Sequence, residues 1–190
     1  MQGGIITMTD LQKTYKEIMP KLQEELKITN PMALPRLTKI VINMGVKGAS
    51  ADKKLIERMA APLAQITGQK PKVTRAKQAI AGFKLRQGDA IGLVVTLRGH
   101  RMHSFFEKVV NMVLPRIKDF RGVNRKSFDG RGNYTLGLHE YSVFPEIDPG
   151  SVERLQGMEI VFVTTAKDNE QGRAFMTAMG MPFTKEQPKA

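Results

Sequence analysis

Cysteine is absent from the chain, and with it go disulfides, thiolate metal sites and cysteine nucleophiles. That absence fits a reducing compartment. No apolar run approaches the ~20 residues needed to cross a bilayer. The opening MQGGIITMTD lacks the basic n-region and long apolar h-region of a signal peptide. A soluble cytoplasmic protein is the default expectation. Catalytic fingerprints are missing too: there is no Walker loop, dinucleotide fingerprint, GxSxG or HExxH. Glu24-Glu25 and the scattered acids of the C-terminal third read as solvated helix faces, not an acid/base pair. His100 and His103 could share a metal on one helix face, but neither cysteine nor a spaced carboxylate completes a site. No enzyme, cofactor or metal is expected.

Acidic residues are scarce in one region. Between Pro35 and Arg101, fourteen Lys and Arg face only Asp52, Glu57 and Asp89. From Met59 to Gly88 there is no carboxylate at all, so Lys70, Lys72, Arg75, Lys77, Lys84 and Arg86 stand unneutralised. Nearly all of the net charge of +12 sits in this block. A solubility charge would be mixed in sign and spread out, whereas a concentrated one builds a positive field whose commonest partner is a polyphosphate backbone. Attachment to anionic lipid would call for a basic amphipathic helix or a lipid anchor. Here the first helix candidate is neutral and the cations fall on predicted strands and loops.

Aromatic residues are also few, at 6%, and Phe105, Phe106, Phe162 and Phe175 fall on apparent core faces. No obvious platform for base stacking is visible. Recognition through phosphate, 2′-hydroxyl and helix shape suits the chain better than single-strand readout, so folded RNA is the favoured partner.

At 190 residues the chain can bury one respectable core or two small ones sharing an interface. No repeat and no Gly/Ser or Pro-rich linker divides it. Thr9 with Gln12 resembles a capping box ahead of a helix carrying Leu11, Tyr15, Ile18, Met19, Leu22 and Leu26, which Pro20 should kink or interrupt. In the strand LTKIVINMG, Ile40, Ile42 and Met44 alternate with Lys39, Val41 and Asn43. Gly45 and Gly48 turn the chain into a helix with Leu55, Ile56, Met59, Leu63 and Ile66, stopped by Gly68. Short β segments follow around KVTRA, FKLRQ and IGLVVTLR, the last two joined at Gly88-Asp89. In the third, Ile91, Leu93, Val95 and Leu97 form a core face opposite Val94, Thr96 and Arg98. An apolar helix ends before Pro115. After a polar, Gly-rich stretch come strands at Tyr134 to Leu138 and MEIVFVTT, then a last helix from Asn169 to Met179. The pattern predicts an α+β fold, a mainly antiparallel sheet with helices packed on one face.

Three segments are candidate sites. Lys70 to Arg86 is basic on both flanks with a small apolar tip, Ala79-Ile80-Ala81-Gly82. Its cations can grip phosphates while the tip slides against a backbone or into a groove, a reading favoured over a merely solvated hairpin. Gly45-Val46-Lys47-Gly48 has the GxxG form of a KH clamp, but an ordinary strand-to-helix turn needs the same glycines and is the preferred reading. The loop Lys118 to Asn133 carries Lys118, Arg121, Arg125, Lys126 and Arg131 against Asp119 and Asp129. A stretch of about fifteen residues without regular structure is more often functional than idle. Asp129-Gly130 and Gly132-Asn133 are turn formers, so part of it can be scaffolding.

The segments ITGQKPKVTRAKQAIAGFKLRQGDAIGLVVTLRG, PRIKDFRGVNRKSFDGRGNYTLGL and FPEID resemble the family of large-subunit ribosomal protein number five, L-five, in its bacterial form. The likeness runs from about Leu11 to Phe183. It implies a single domain over residues 9–183, with mobile extensions at 1–8 and 184–190. It also implies a structural constituent of the large subunit that anchors 5S rRNA in the central protuberance among neighbouring large-subunit proteins. Further implied partners are P-site tRNA and small-subunit head protein number thirteen. The protein would be a monomer within the ribosome.

Carried over residue by residue, the family's 5S-facing trio falls on Asn43, Gln69 and Thr96, and Lys39, Lys47, Lys70, Lys72 and Arg98 join them as expected 5S rRNA contacts. The tRNA-facing loop falls on Arg75, Lys77, Gln78, Ala79, Ile80, Ala81, Gly82, Phe83 and Lys84. The intersubunit bridge would draw on Arg116, Lys118, Arg121, Arg125, Lys126 and Pro145. Lys47 departs from the second glycine usual after Val46, and His139 and Tyr141 stand where Arg or Lys and Gln are common on the bridge surface. The alternative outside the ribosome is a free KH-like RNA chaperone or regulator. A nuclease would need acidic metal ligands in the basic region, where Met59 to Gly88 has none.

Overall fold

The computed structural model describes residues 8–49, 53–148, 150 and 156–184. In chain order the elements are α1 (Met8–Leu26), β1 (Leu37–Gly45), α2 (Lys53–Thr67), β2 (Lys72–Arg75), β3 (Ala90–Leu97), α3 (Gly99–Lys108), β4 (Tyr134–Leu138), β5 (Met158–Thr164) and α4 (Asn169–Ala178). The strands form one antiparallel five-stranded sheet, ordered β2-β3-β1-β5-β4, and with four helices this is the expected α+β fold. Among the described residues no helix is long and apolar enough to cross a membrane. Contacts gather the chain into two compact units.

One unit comprises Ile40–Leu97 and Gly137–Val161. Its core follows from strand alternation. The register sets Ile40 opposite Leu97, Ile42 opposite Val95 and Met44 opposite Leu93. All six are buried, and α2 packs Leu55, Ile56, Met59, Leu63 and Ile66 into the same core. Burying each such side chain is worth roughly 1.5–3 kcal/mol. At the end of α2 the Thr67 hydroxyl donates to Leu63 O (2.8 Å), and Gly68 leaves the helix at φ +64°. The glycine stop therefore falls where the sequence puts it.

The expected strand at FKLRQ does not form. Ala81–Phe83 is a single 3-10 turn, and only an isolated bridge joins Ile80 to Leu85. The hairpin partner of β3 is β2 instead: Lys72 faces Val94, Thr74 faces Gly92 and Arg75 faces Ala90. Residues 76–89 are the connection between them. The Gly88-Asp89 turn lies at its foot, with Ala76 N donating to Asp89 O (2.8 Å) and Gly88 N to Ala76 O (3.0 Å).

The other unit comprises the described residues of Met1–Lys39, Arg98–Leu136 and Phe162–Ala190. Here α1 lies against α4 and buries Leu22. Of the kink or interruption expected at Pro20, the interruption does not occur: the helix runs on through it. It closes with Lys27 left-handed (φ 53°), while Ile28 N reaches back to Gln23 O (3.3 Å), the arrangement in which a helix ends on its own carbonyls. After α3 the chain passes through a π turn at Val109–Val113 and a 3-10 turn at Leu114–Arg116. Val109 and Val113 of the wider turn lie in the core, and Met112 is half exposed. Phe106 meets Phe162 edge-on at 5.6 Å. Thr184, the first residue of the expected tail, is tied to the fold, its N donating to Val123 O (3.0 Å). Residues 1–7 and 185–190 lie outside the described residues.

Candidate nucleic-acid interface

The face of the sheet opposite the α2 core carries the polar residues of β1 and β3 together with Lys72 of β2. Residues directly opposite in antiparallel strands share a face, so Lys72, Val94 and Asn43 form one row across β2, β3 and β1. The next row pairs Val41 with Thr96. Asn43 and Lys72 are exposed, and Val41, Val94 and Thr96 are half-buried. Gln69, just after α2, reaches the same rows: its Nε2 donates to Thr96 O at 3.4 Å. A neighbouring row of Thr74, Gly92 and Gly45 carries almost no side chain. A Cβ on Gly92 would lie 2.7 Å from Met44 O, so glycine is required there. The trio Asn43, Gln69 and Thr96 is thus brought together, with Lys70 and Lys72 exposed beside it. Within the five strands the single carboxylate is Glu159, on β5. Lys39, half-buried, and Arg98, exposed, are assigned to the other unit.

The loop between β2 and β3 is built from its own backbone. Ile80 and Leu85 exchange hydrogen bonds of 3.1 and 3.2 Å, and Phe83 N and Lys84 N close the tip onto Ile80 O and Ala81 O. Lys84 is held left-handed at φ 52°. At the base, Arg75 Nη1 donates to Gly88 O (2.9 Å), and Asp89 Oδ2 accepts from Arg86 N (2.8 Å). Asp89, the single carboxylate near this loop in sequence, is thereby engaged with backbone. Residues 77–84 are exposed throughout. The tip is not simply small and apolar: Phe83 is 74% exposed and Ile80 47%. Low aromatic content hid an aromatic presented to solvent.

The Gly45-Val46-Lys47-Gly48 segment is a strand-to-helix turn, pinned by Val46 N to Ile91 O (2.9 Å) and by Gln156 Nε2 to Gly45 O (2.7 Å). Val46 is buried and Lys47 exposed.

Within Lys118 to Asn133 the second half is scaffolding. Asp129 Oδ1 accepts from Arg131 N (2.8 Å) and Asn133 N (3.1 Å), and Asp129 Oδ2 accepts from Asn133 Nδ2 (2.6 Å). Slight desolvation pushes the Asp129 carboxyl up, but these bonds outweigh it and hold it below its ordinary value. Asn169 Oδ1 accepts from Gly130 N (2.9 Å), and Thr164 Oγ1 donates to Gly132 O (2.9 Å). Tyr134 donates its hydroxyl to Asn124 O (2.9 Å), and burial pushes its pKa up to about 12. Phe128 and Phe183 pack on its ring at 4.8 and 5.5 Å.

Of the bridge candidates in this unit, Arg116, Lys118, Arg121 and Lys126 are exposed and Arg125 is half-buried. Pro145 is exposed in the other unit. There His139 is exposed, but Tyr141 is buried in the core and is no part of a surface. The His100 ring sits 3.5 Å from the Ser104 hydroxyl, and burial, then the nearby His100, lower the pKa of His103. Among the described residues no group of three metal-ligating side chains gathers.

Comparison with known proteins places the chain in a family. The family model described as ribosomal protein L5 matches residues 30–86, and the model for the C-terminus of the same ribosomal family matches residues 90–183. Large ribosomal subunit protein uL5 of Acaryochloris marina is 56% identical over 165 residues, covering 87% of this chain and 91% of that protein. Its counterpart in Synechococcus sp. (strain CC9605) is 55% identical over 91% of this chain and 97% of that protein. In Roseiflexus castenholzii the counterpart is 54% identical over 90% and 96%. With both halves matched and the fold in agreement, the chain belongs to the ribosomal protein L5 family, whose members are structural rather than enzymatic.

Proposed function

We propose that this chain, a structural protein of the large ribosomal subunit, binds 5S rRNA on the helix-free face of its sheet and anchors it in the central protuberance. The observation that carries this reading is the shared face of Asn43, Gln69 and Thr96 with exposed Lys70 and Lys72 beside it. Neutral donors and acceptors flanked by cations suit a folded RNA, reading 2′-hydroxyls and backbone shape while the lysines neutralise phosphates. Lys39, Lys47 and Arg98 extend the contact. The loop of Arg75–Lys84 meets P-site tRNA, and Arg116, Lys118, Arg121, Arg125, Lys126 and Pro145 supply the bridge to the small-subunit head protein number thirteen. Residues 9–183 act as one domain, and the protein works as a single copy per ribosome.

The test is the double substitution Asn43→Ala with Thr96→Ala. Each lost hydrogen bond is worth about 0.5–1.5 kcal/mol, so 5S rRNA affinity should fall roughly fivefold to a hundredfold. Both positions lie off the core, so circular dichroism should not change. Unaltered affinity in filter binding, with the fold intact, would refute the assignment.

A further inference from the structure

Past α4 the chain turns back onto its own unit. Gly180 turns it at φ +91°, Met181 N donates to Met176 O (3.0 Å), and residues 181–184 run along the loop that carries the bridge cations. Val123 and Phe183 form a parallel bridge. Val123 N donates to Pro182 O (2.8 Å), and Val123 O accepts from both Thr184 N (3.0 Å) and Thr184 Oγ1 (3.1 Å). The Phe183 ring seats against Tyr134 at 5.5 Å and Phe128 at 6.0 Å. We infer that residues 181–184 are a strap that holds the loop of residues 118–126 in the conformation its docking partner meets, so that Phe183 and Thr184 position the cations Arg121 and Lys126. The inference deepens the bridge reading above and rests on it for the identity of the partner.

Three observations support a strap over an ordinary chain end. Gly122 lies so close against the segment that a Cβ would stand 2.7 Å from Thr184 N and 2.9 Å from Phe183 C, at φ +105°. Val123 is buried, while Arg121, Asn124 and Lys126 around it are exposed, so the anchor lies between the two cations it positions. Asp119, ahead of the anchor, is left-handed at φ 56°. A non-glycine residue takes that conformation at a cost and keeps it where surrounding contacts impose it. The strap itself is light. One bridge and a half-buried ring hold it, and segments with so few buried contacts open locally before the rest of a fold. Its closure therefore sets how often the loop is ordered, and a loop ordered beforehand loses little freedom on docking.

Limited trypsin digestion of the full chain, with the cut sites read by mass spectrometry, tests the strap alone. Thr184→Pro, at an exposed position, removes both the amide and the hydroxyl that donate to Val123 O. Cleavage after Arg121 and Lys126 should quicken about tenfold, because two hydrogen bonds of ordinary strength are lost and proteolysis follows the open population. Cleavage after Lys77 and Lys84, in the other unit, should not change. Thr184→Ser keeps both donors and should behave as the parent, while Gly122→Ala should reproduce the effect from the loop's side. Unchanged cleavage after Arg121 and Lys126 in Thr184→Pro would overturn the inference. Light scattering of subunit association, on ribosomes carrying each variant, then separates the strap from the bridge reading. Thr184→Pro should weaken association severalfold, as should Arg121→Ala with Lys126→Ala. Full association in Thr184→Pro, with loss in the double variant, would also overturn the inference. Full association in both refutes the bridge reading, and the quickened cleavage then still assigns the strap its hold on the loop.

Discussion

At the scale of single residues, alternation along a strand is a strong code where one face is buried. Lys39, Val41 and Asn43 leave the core because Ile40, Ile42 and Met44 enter it, and Thr96 follows from Val95 and Leu97. That logic was legible without coordinates. The exposure of Phe83 and the burial of Tyr141 were not, because both lie outside regular strands, where no period constrains the side chain. Gly132 is a similar case. It reads as a turn former, yet its role is close packing: a Cβ there would sit 2.5 Å from Ala166 Cβ and 2.8 Å from Asp168 O, at φ +76°. Gly132→Ala should therefore destabilise the protein by about 3 kcal/mol or more, combining overpacking with backbone strain. Urea denaturation would show this as a large fall in midpoint, and a loss below about 1 kcal/mol, the low end for overpacking, would mean that the neighbouring chain yields easily.

Among the elements of the described residues, local signals gave the four helices and five strands, including the glycine stop at Gly68. Two expectations fail for physical reasons. FKLRQ has strand composition but lies in a loop whose ends are fixed by β2 pairing with β3, so its hydrogen bonds close on themselves. Pro20 sits inside a helix that continues, where packing of α1 on α4 offsets the lost hydrogen bond. The Asp129–Asn133 segment, by contrast, is the scaffolding its turn formers suggested, since its polar groups serve the fold. The β2–β3 loop remains the separable element. Its cross-bridge lies above the Ala76–Asp89 closure, so deleting Gln78 to Gly82 should leave β2 and β3 paired and 5S rRNA affinity within a few-fold. Ribosomes assembled with that variant should hold P-site tRNA less well. Loss of 5S binding with normal P-site occupancy would show that the two roles are assigned to the wrong surfaces.

For the whole molecule, composition speaks more about partners than about architecture. The charge block named a polyanion; the fold distributes it over α2, the β2–β3 loop and the sheet face that carries Lys72. The division into two contact units was not legible, because β1, β4 and β5 each begin in one unit and end in the other. Strands shared in this way favour cooperative unfolding. Tyr134 and Tyr141 report separately on the two units once each is isolated by substituting Tyr15 and the other with Phe. Their near-ultraviolet signals should be lost at one common urea concentration, whereas two midpoints would mean two independent domains.

The central claim, that phosphate contacts on this face hold 5S rRNA, is tested most directly by the salt dependence of binding. The logarithm of the association constant should fall linearly with the logarithm of salt concentration, by roughly 0.7–0.9 per neutralised phosphate. Lys72→Ala should flatten that slope by about one contact while leaving the fold unchanged. A slope near zero, or an identical slope for parent and Lys72→Ala, would contradict the account.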